Sequence, residues 1–398
     1  MKNKKRILVV SLLVFLLTFT MAPVSYGDDW YEDYGSHYKV YNVKDNKLIF
    51  ETARLVYKGD QYMSGDNKLY QVIRVNKDKK TAYAEFIRDV ELPKIDKVAM
   101  EEFVLALRSN EGLAALVAEE KARKVGIYTT HSAESYVPTD GTESNIEGGG
   151  IKDVAAKLAE NFKKIGVEGV YDNTDHVPHD AGAYKRSRRT AVQLLREQQP
   201  NALFDVHRDA IPAEQYLTEL NGEPASKVRL VIGRRNQNFK ANEETAQKIK
   251  AVGDEMYPGL IKDIFYAKGD YNQDLTPRAM LFEMGSFEHS RQRAEKSTGP
   301  LSEVLATVVF GGTFEANKSE GKGEGAAGDQ KGGEKKQVTP QEDSNEGSGM
   351  GIAALLAVLG GGGLAFLFLS SGGKEWKSKI SNFKQEFNSF LGRKRKRK

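Results

Sequence analysis

The sequence predicts an α/β fold: a mostly parallel central sheet covered by helices, preceded by a small all-β module and followed by a transmembrane helix. Three observations predict it. Between residues 95 and 310, short apolar runs of strand length alternate with longer segments of helical period. That alternation implies right-handed crossovers and a sheet covered on both faces. Between residues 37 and 88, only strand-like runs occur, separated by turn-rich segments. Met350 to Leu369 gives twenty uncharged, mostly apolar residues, enough to span a bilayer at about 1.5 Å rise per residue.

The elements follow in chain order. A basic start and an apolar stretch from Ile7 to Thr18 precede the small residues Ser25 and Gly27. Residues 1–27 are therefore expected to be a secretory signal, cut after Gly27. Residues 28–94 form the β-rich module, with strands in HYKVYNV, KLIFETA, YMSG, LYQVIRVN and TAYAEFI. Nothing in it resembles a reactive site. Residues 95–314 form the α/β domain. Helices are expected over the KVAMEEF run to Arg123 (with a break near Asn110–Gly112), Ile151–Ile165, Tyr184–Gln199, Ala241–Met256 and Ser290–Val309. Strands are expected in KVGIYTTH, GVEGVYDN, NALFDVH, VRLVIG, DIFYAK and PRAMLFEMG.

Residues 315–349 lack aromatics and nearly all large aliphatics, so they read as a disordered tether with a reach of roughly 30–35 Å. The span is placed at 350–371. The basic tail, 372–398, carries Trp376, Ile380, Phe383, Phe387 and Phe390 at helical spacing. It reads as an amphipathic segment on the cytoplasmic side, with the folded part outside the cell membrane.

Charge and composition narrow the function. The chain carries +4 overall, with +4 in residues 1–27 and +8 in residues 374–398, leaving an acidic body of −8. A basic nucleic-acid face is not indicated. There are no cysteines, so any metal must be held by His, Asp and Glu, which suits a catalytic zinc rather than a closed structural one.

Ligands bind beyond the carboxyl ends of strands in such sheets. His131 lies just past VGIYT, His207 ends ALFDV, and Glu283 ends RAMLF. Catalytic zinc takes three His or carboxylate ligands and leaves a position for water. His131, Glu134 and His207 are the candidate ligands, and Glu283 is the candidate base and acid. Glu147, in EGGGIKDV, is a second candidate for the carboxylate ligand. Asp205 shares the side of His207 by strand alternation and could orient its imidazole. His179 and Arg208 are assigned to substrate or to supporting the site, with Arg208 able to hold a carboxylate. Asn272 and Gln273 offer amides to a peptide or sugar. YKRSRR could meet acidic groups or form a solvated helix face. His37, His176 and His289 read as structural or incidental.

The stretches YTTHSAESYVPTDGTES, PHDAGAYKRSRRTAV, FDVHRDA, NQN at Asn236–Asn238 and YNQDLTPRAMLFEMGS occur in this order. Together they resemble the stage II sporulation protein P family over roughly residues 125–312, and the β-rich region is similar to members of one branch. The resemblance implies a zinc amidase-like fold and a peptidoglycan hydrolase of the N-acetylmuramoyl-L-alanine amidase type, with associated endopeptidase activity. It also implies action at the septum during engulfment, beside a glycan-cleaving partner similar to stage II sporulation protein D. The paired His131 and Glu134 are the family's own feature, which favours Glu134 over Glu147. Two other readings stand beside it: a non-catalytic, membrane-tethered wall-binding or scaffold protein, and a zinc carboxypeptidase trimming stem peptides.

Overall fold

The computed structural model describes residues 36–109, 123–180 and 182–314. The first five strands overlap the expected runs, with β3, β4 and β5 reaching one or two residues beyond them: β1 (Tyr38–Asn42), β2 (Leu48–Thr52), β3 (Gln61–Met63), β4 (Lys68–Asn76) and β5 (Thr81–Asp89). Helix α1 (Lys97–Arg108) starts at Asp96, whose side chain accepts from the Ala99 N–H, a standard amino-terminal cap. Then come β6 (Lys124–Tyr128), the short α2 (Val137–Asp140), α3 (Ile151–Lys164), β7 (Glu168–Tyr171), α4 (Ala183–Gln198) and β8 (Ala202–Asp209). The remainder is β9 (Leu217–Leu220), β10 (Glu223–Ser226), β11 (Val228–Gly233), α5 (Phe239–Met256), β12 (Ile261–Ala267), β13 (Ala279–Ser286) and α6 (Arg291–Phe310).

The sheet is mixed rather than mostly parallel. Eleven strands lie in the order β2-β1-β5-β4-β3-β12-β11-β13-β8-β6-β7. Strands β13, β8, β6 and β7 run parallel to one another, whereas β11 and β12 run parallel to each other and opposite to β13. The connections explain the reversal. A parallel pair needs a long crossover, usually a helix. Helices α3, α4 and α5 supply three of these, but no α-helix links β8 to β11 or β12 to β13. After β8 the chain instead forms the β9–β10 hairpin, turning at Asn221 and Gly222, both at positive φ. It then enters β11 from the edge where β8 left, so β11 runs the other way.

The amino-terminal strands do not stand apart. β3 pairs antiparallel with β12, aligning Tyr62 with Phe265. Phe50 stacks on Tyr62 at 4.1 Å and meets Phe265 at 5.3 Å. The sheet therefore has two differently covered faces. On one, Leu230, Ile232, Met280 and Phe282 pack with apolar residues of α3, α5 and α6. Helix α3 shows why: Ile151, Val154, Ala155, Leu158 and Phe162 recur at helical spacing and are all buried. On the other, Val231, Phe265 and Leu281 pack with Tyr38, Val40 and Phe50 from the amino-terminal strands and with Tyr184 of α4.

The signal at 1–27, the continuation of the first helix through 110–122, the tether at 315–349, the span at 350–371 and the tail lie outside the described residues. Among the described residues, no helix is long and apolar enough to cross a membrane.

The continuous sheet makes a stability prediction. Phe50→Ala should cost about 3–5 kcal/mol and speed amide exchange in β8 and β13 as much as in β1. Hydrogen-exchange mass spectrometry checks this; loss of protection confined to β1–β5 would contradict one cooperative unit.

Candidate active site

The face under α4 and the amino-terminal strands carries an unusual concentration of buried charge. Asp205, His207 and Asp209 alternate along β8 and point to that face, and Glu283 on β13 is the register partner of His207. His131 follows β6 by three residues, on a turn in which the Glu134 N–H bonds to the His131 carbonyl at 3.0 Å. That turn folds Glu134 back beside His131. The three glycines after Glu147 allow the packing that follows. A Cβ at Gly149 would collide with the backbone of Ala133 and Glu134, and one at Gly150 with the Asp140 carboxylate. The glycines thus bring the start of α3 against the Glu134 backbone. Glu147 itself is exposed, so Glu134 is the carboxylate at the centre.

His131, Glu134 and His207 offer atoms within 4.8 Å of one another. Glu134 Oε1 lies 3.1 Å from His131 Nδ1 and 3.4 Å from His207 Nδ1. Ligands about 2.0–2.1 Å from a tetrahedral ion stand roughly 3.3 Å apart, so the spacing suits zinc. Nδ1 is the His131 nitrogen turned to Glu134, and the opposite nitrogen, Nε2, is buried with no hydrogen-bond partner. Two imidazoles and one carboxylate are also a recognised catalytic zinc set. The residues fit the metal.

Supporting contacts hold each ligand. His207 Nε2 lies 3.1 Å from Asp205 Oδ1. Asp205 in turn accepts from the Thr130 N–H at 2.8 Å and hydroxyl at 2.6 Å. A carboxylate behind a ligating histidine fixes its ring and raises its basicity. The Arg208 N–H donates to Glu134 Oε2 at 2.9 Å. Its guanidinium donates to the Ser135 and Glu143 carbonyls, so this side chain braces the turn. His179 approaches from the loop before α4, its ring 4.0 Å from that of His131 and its Nε2 4.0 Å from Glu134 Oε1.

Burial and neighbouring charge set the protonation states. Burial pushes His131 down to about 4. Burial and the adjacent His131 push His179 down to about 2. Burial also opposes a charge on His207, but Asp205 and Glu134 outweigh it and raise the group to about 10. Burial alone would raise Glu134; His207 and Arg208 overcome it and hold the carboxylate well below its usual range. His131 is thus held neutral, as a ligand must be, and so is its neighbour His179. The proton on His207 occupies a pocket that favours positive charge, and a divalent cation would displace it.

Glu283 is fully buried, and burial raises its pKa despite the opposing charge of Arg54. Arg54 Nε donates to Glu283 Oε1 at 2.7 Å. The other oxygen, Oε2, is buried without a hydrogen-bond partner. Arg54 lies just beyond β2, in the region that read as free of reactive residues. No spacing rule could connect it to Glu283, 229 positions away. The one sequence signal was a lone arginine inside the apolar-alternating run ETARLVY.

Two expected substrate residues are engaged in the scaffold instead. Asn272 Nδ2 donates to the Tyr184 carbonyl and the Ser187 hydroxyl, at 3.2 and 3.1 Å. Gln273 takes the Gly233 N–H and donates to the Val231 carbonyl, both at 2.8 Å. Both residues are buried because their loop closes over α4 at Asn272 and over the polar backbone at the end of β11 at Gln273. In YKRSRR, Arg188 pairs bidentately with Asp274 and Arg186 pairs with Asp180. His176 is buried between the Thr129 carbonyl and the Thr190 hydroxyl, a structural position.

A family model described as Stage II sporulation protein P matches residues 44–306. The chain belongs to the stage II sporulation protein P family. The matched range takes in β2 through most of α6, so the family's pattern includes the amino-terminal strands. The chain is also similar to the stage II sporulation protein P of Bacillus subtilis (strain 168), 25% identical over 204 residues. That alignment covers 47% of this chain and 51% of the relative, about half its length. Among solved structures, it is similar to an N-acetylmuramoyl-L-alanine amidase from Clostridium difficile 630 at 17% identity, with a TM-score of 0.32 over 47% of this chain and 95% of that one. It is also similar to the N-acetylmuramoyl-L-alanine amidase AmiC2 of Nostoc punctiforme at 13% identity, with a TM-score of 0.29 over 48% and 96%.

The contact behind His207 can be tested directly. Asp205→Asn should weaken zinc binding by about 10–100-fold, read by competition with a chromophoric chelator. Unchanged affinity would show that Asp205 does not tune the ligand.

Proposed function

We propose that this chain is a zinc-dependent N-acetylmuramoyl-L-alanine amidase that cuts stem peptides from glycan strands during septal wall remodelling in sporulation. The observation that carries the reading is the pairing of a His131–Glu134–His207 cluster with a separate buried carboxylate, Glu283, on the adjacent strand. A binding protein has no need of that second carboxylate. Family membership supplies the sporulation setting.

A bound zinc ion supplies Lewis acidity, which activates water near neutral pH and polarises the scissile carbonyl. His131, Glu134 and His207 would hold it. Asp205 keeps the His207 ring fixed, and the Arg208 N–H keeps Glu134 turned toward the cluster. Glu283 is the proton carrier. Its Oε2 takes a proton from the attacking water as the carbon–oxygen bond forms. The same oxygen returns the proton to the alanine nitrogen as the carbon–nitrogen bond breaks. The raised pKa of Glu283 suits this role, because a carboxyl that both accepts and gives a proton works best when its pKa moves toward the working pH. Cleavage leaves a free lactyl carboxylate on the glycan and a free amino group on the peptide. A secondary endopeptidase activity on cross-linking peptides would use the same centre.

In this proposal the apolar stretch at 350–371 tethers the enzyme to the outer face of the cell membrane. A glycan-cleaving partner similar to stage II sporulation protein D would supply or consume its glycan strands.

Metal-loaded protein incubated with purified sacculi should release free stem peptides, identified by mass spectrometry, and a chelator should abolish release. Glu283→Gln should lower the rate by about 10²–10⁴-fold while leaving zinc content intact. Products that are shortened peptides still attached to glycan would favour the carboxypeptidase reading. Intact sacculi with folded, zinc-loaded protein would favour the scaffold.

A further inference from the structure

The geometry points to Arg54 as the residue that positions Glu283 for proton transfer, so that the amino-terminal strands complete the catalytic centre. The inference rests on the amidase reading and adds a residue to it.

Arg54 is fully buried, and its environment is built. Its Nε holds Glu283 Oε1 at 2.7 Å, and its Nη1 donates to the Tyr184 hydroxyl at 3.1 Å. The guanidinium carbon lies 5.1 Å from the centre of the Tyr271 ring, within cation–π range. Tyr184 packs edge-on against His131 at 5.3 Å and stacks on His207 at 6.1 Å. A single planar cation therefore touches both the proposed base and the aromatic ring that packs on two metal ligands.

The backbone on either side of Arg54 is pinned as well. The Ala53 N–H donates to Asp209 Oδ1 at 3.0 Å. The Glu51 carbonyl accepts from Arg229 Nη1 at 2.9 Å. Asp209 and Arg229 sit on β8 and β11, which flank the strand carrying Glu283. The guanidinium thus has a fixed origin and a fixed target. By occupying Oε1, it leaves Oε2, which is buried with no hydrogen-bond partner, as the oxygen available for proton transfer. Glu283 is in register with His207 and Arg229, just before the register of β13 against β8 shifts, so the ladder sets its face and the guanidinium sets which carboxylate oxygen is held. Lysine could supply the charge but not the two directed bonds.

The test is a double-mutant cycle in the full chain, on a soluble N-acetylmuramoyl-L-alanyl peptide with zinc. Arg54→Gln should lower kcat by about 10–100-fold with KM and zinc affinity unchanged, and Arg54→Lys should recover only part of the loss. In a Glu283→Gln background, Arg54→Gln should cause no further loss. An equal further loss there would mean that Arg54 acts on the fold at large, and a wild-type kcat in Arg54→Gln would mean that it does not act; either overturns the inference. Should Arg54→Gln fail to fold, Arg54→Lys carries the same cycle. No turnover by zinc-loaded wild type would instead count against the amidase reading. The same four proteins compared by urea unfolding then decide the pairing: non-additive destabilisation supports it, and additive destabilisation overturns it.

Discussion

Burial of carboxylates on one face of one sheet is the constraint on which the rest of the structure depends. Glu134, Asp205, Asp209, Asp263 and Glu283 are all buried there. An unpaired buried ion costs several kcal/mol, so each needs a cation or directed donors. His207 and Arg208 answer Glu134, and His207 and Thr130 answer Asp205. Arg229 answers Asp209 at 2.8 Å and Asp263 at 2.6 Å, and Arg54 answers Glu283. Tyr216 and Tyr62 add hydroxyls to Asp209 and Asp263. Arg229 alone could not serve this face. The second arginine, the Tyr62 hydroxyl and a carbonyl for Arg229 all come from residues 51–62.

That dependence explains why the amino-terminal strands are welded to the sheet. They close an apolar core around Phe50, Tyr62 and Phe265, and they deliver polar partners to the same face. Fold and site are therefore coupled. Phe50 packs in that core four residues before Arg54, so one segment carries both the apolar anchor and the site arginine.

Much of this was legible in the sequence, and the exceptions have physical causes. The strands β6, β8 and β13 could be placed because each is a short apolar run ending in a polar residue. His131, His207 and Glu283 share an edge because those three strands are adjacent and parallel. The reversal of β11 and β12 does not disturb them. That reversal was not legible, because an apolar run such as VRLVIG reads alike in either direction. The hairpin before it does have a sequence signal, Asn221–Gly222 between alternating residues. Glu134 and Glu147 were both open from spacing alone, and burial separates them: Glu134 lies in the buried cluster and Glu147 is exposed. Asn272 and Gln273 were visible as amides, but the sequence does not show which backbone groups need them. Arg54 stood out only as a lone arginine in an apolar-alternating run, because its partner lies 229 positions away.

The most direct test of the account is zinc K-edge X-ray absorption on the metal-loaded full chain, with His131→Ala beside it. One zinc per chain, with imidazole scattering from two or more rings and the loss of one ring in His131→Ala, is the predicted result. No retained zinc, or a spectrum unchanged by His131→Ala, would contradict the claim that this buried carboxylate face is a metal-dependent hydrolytic centre.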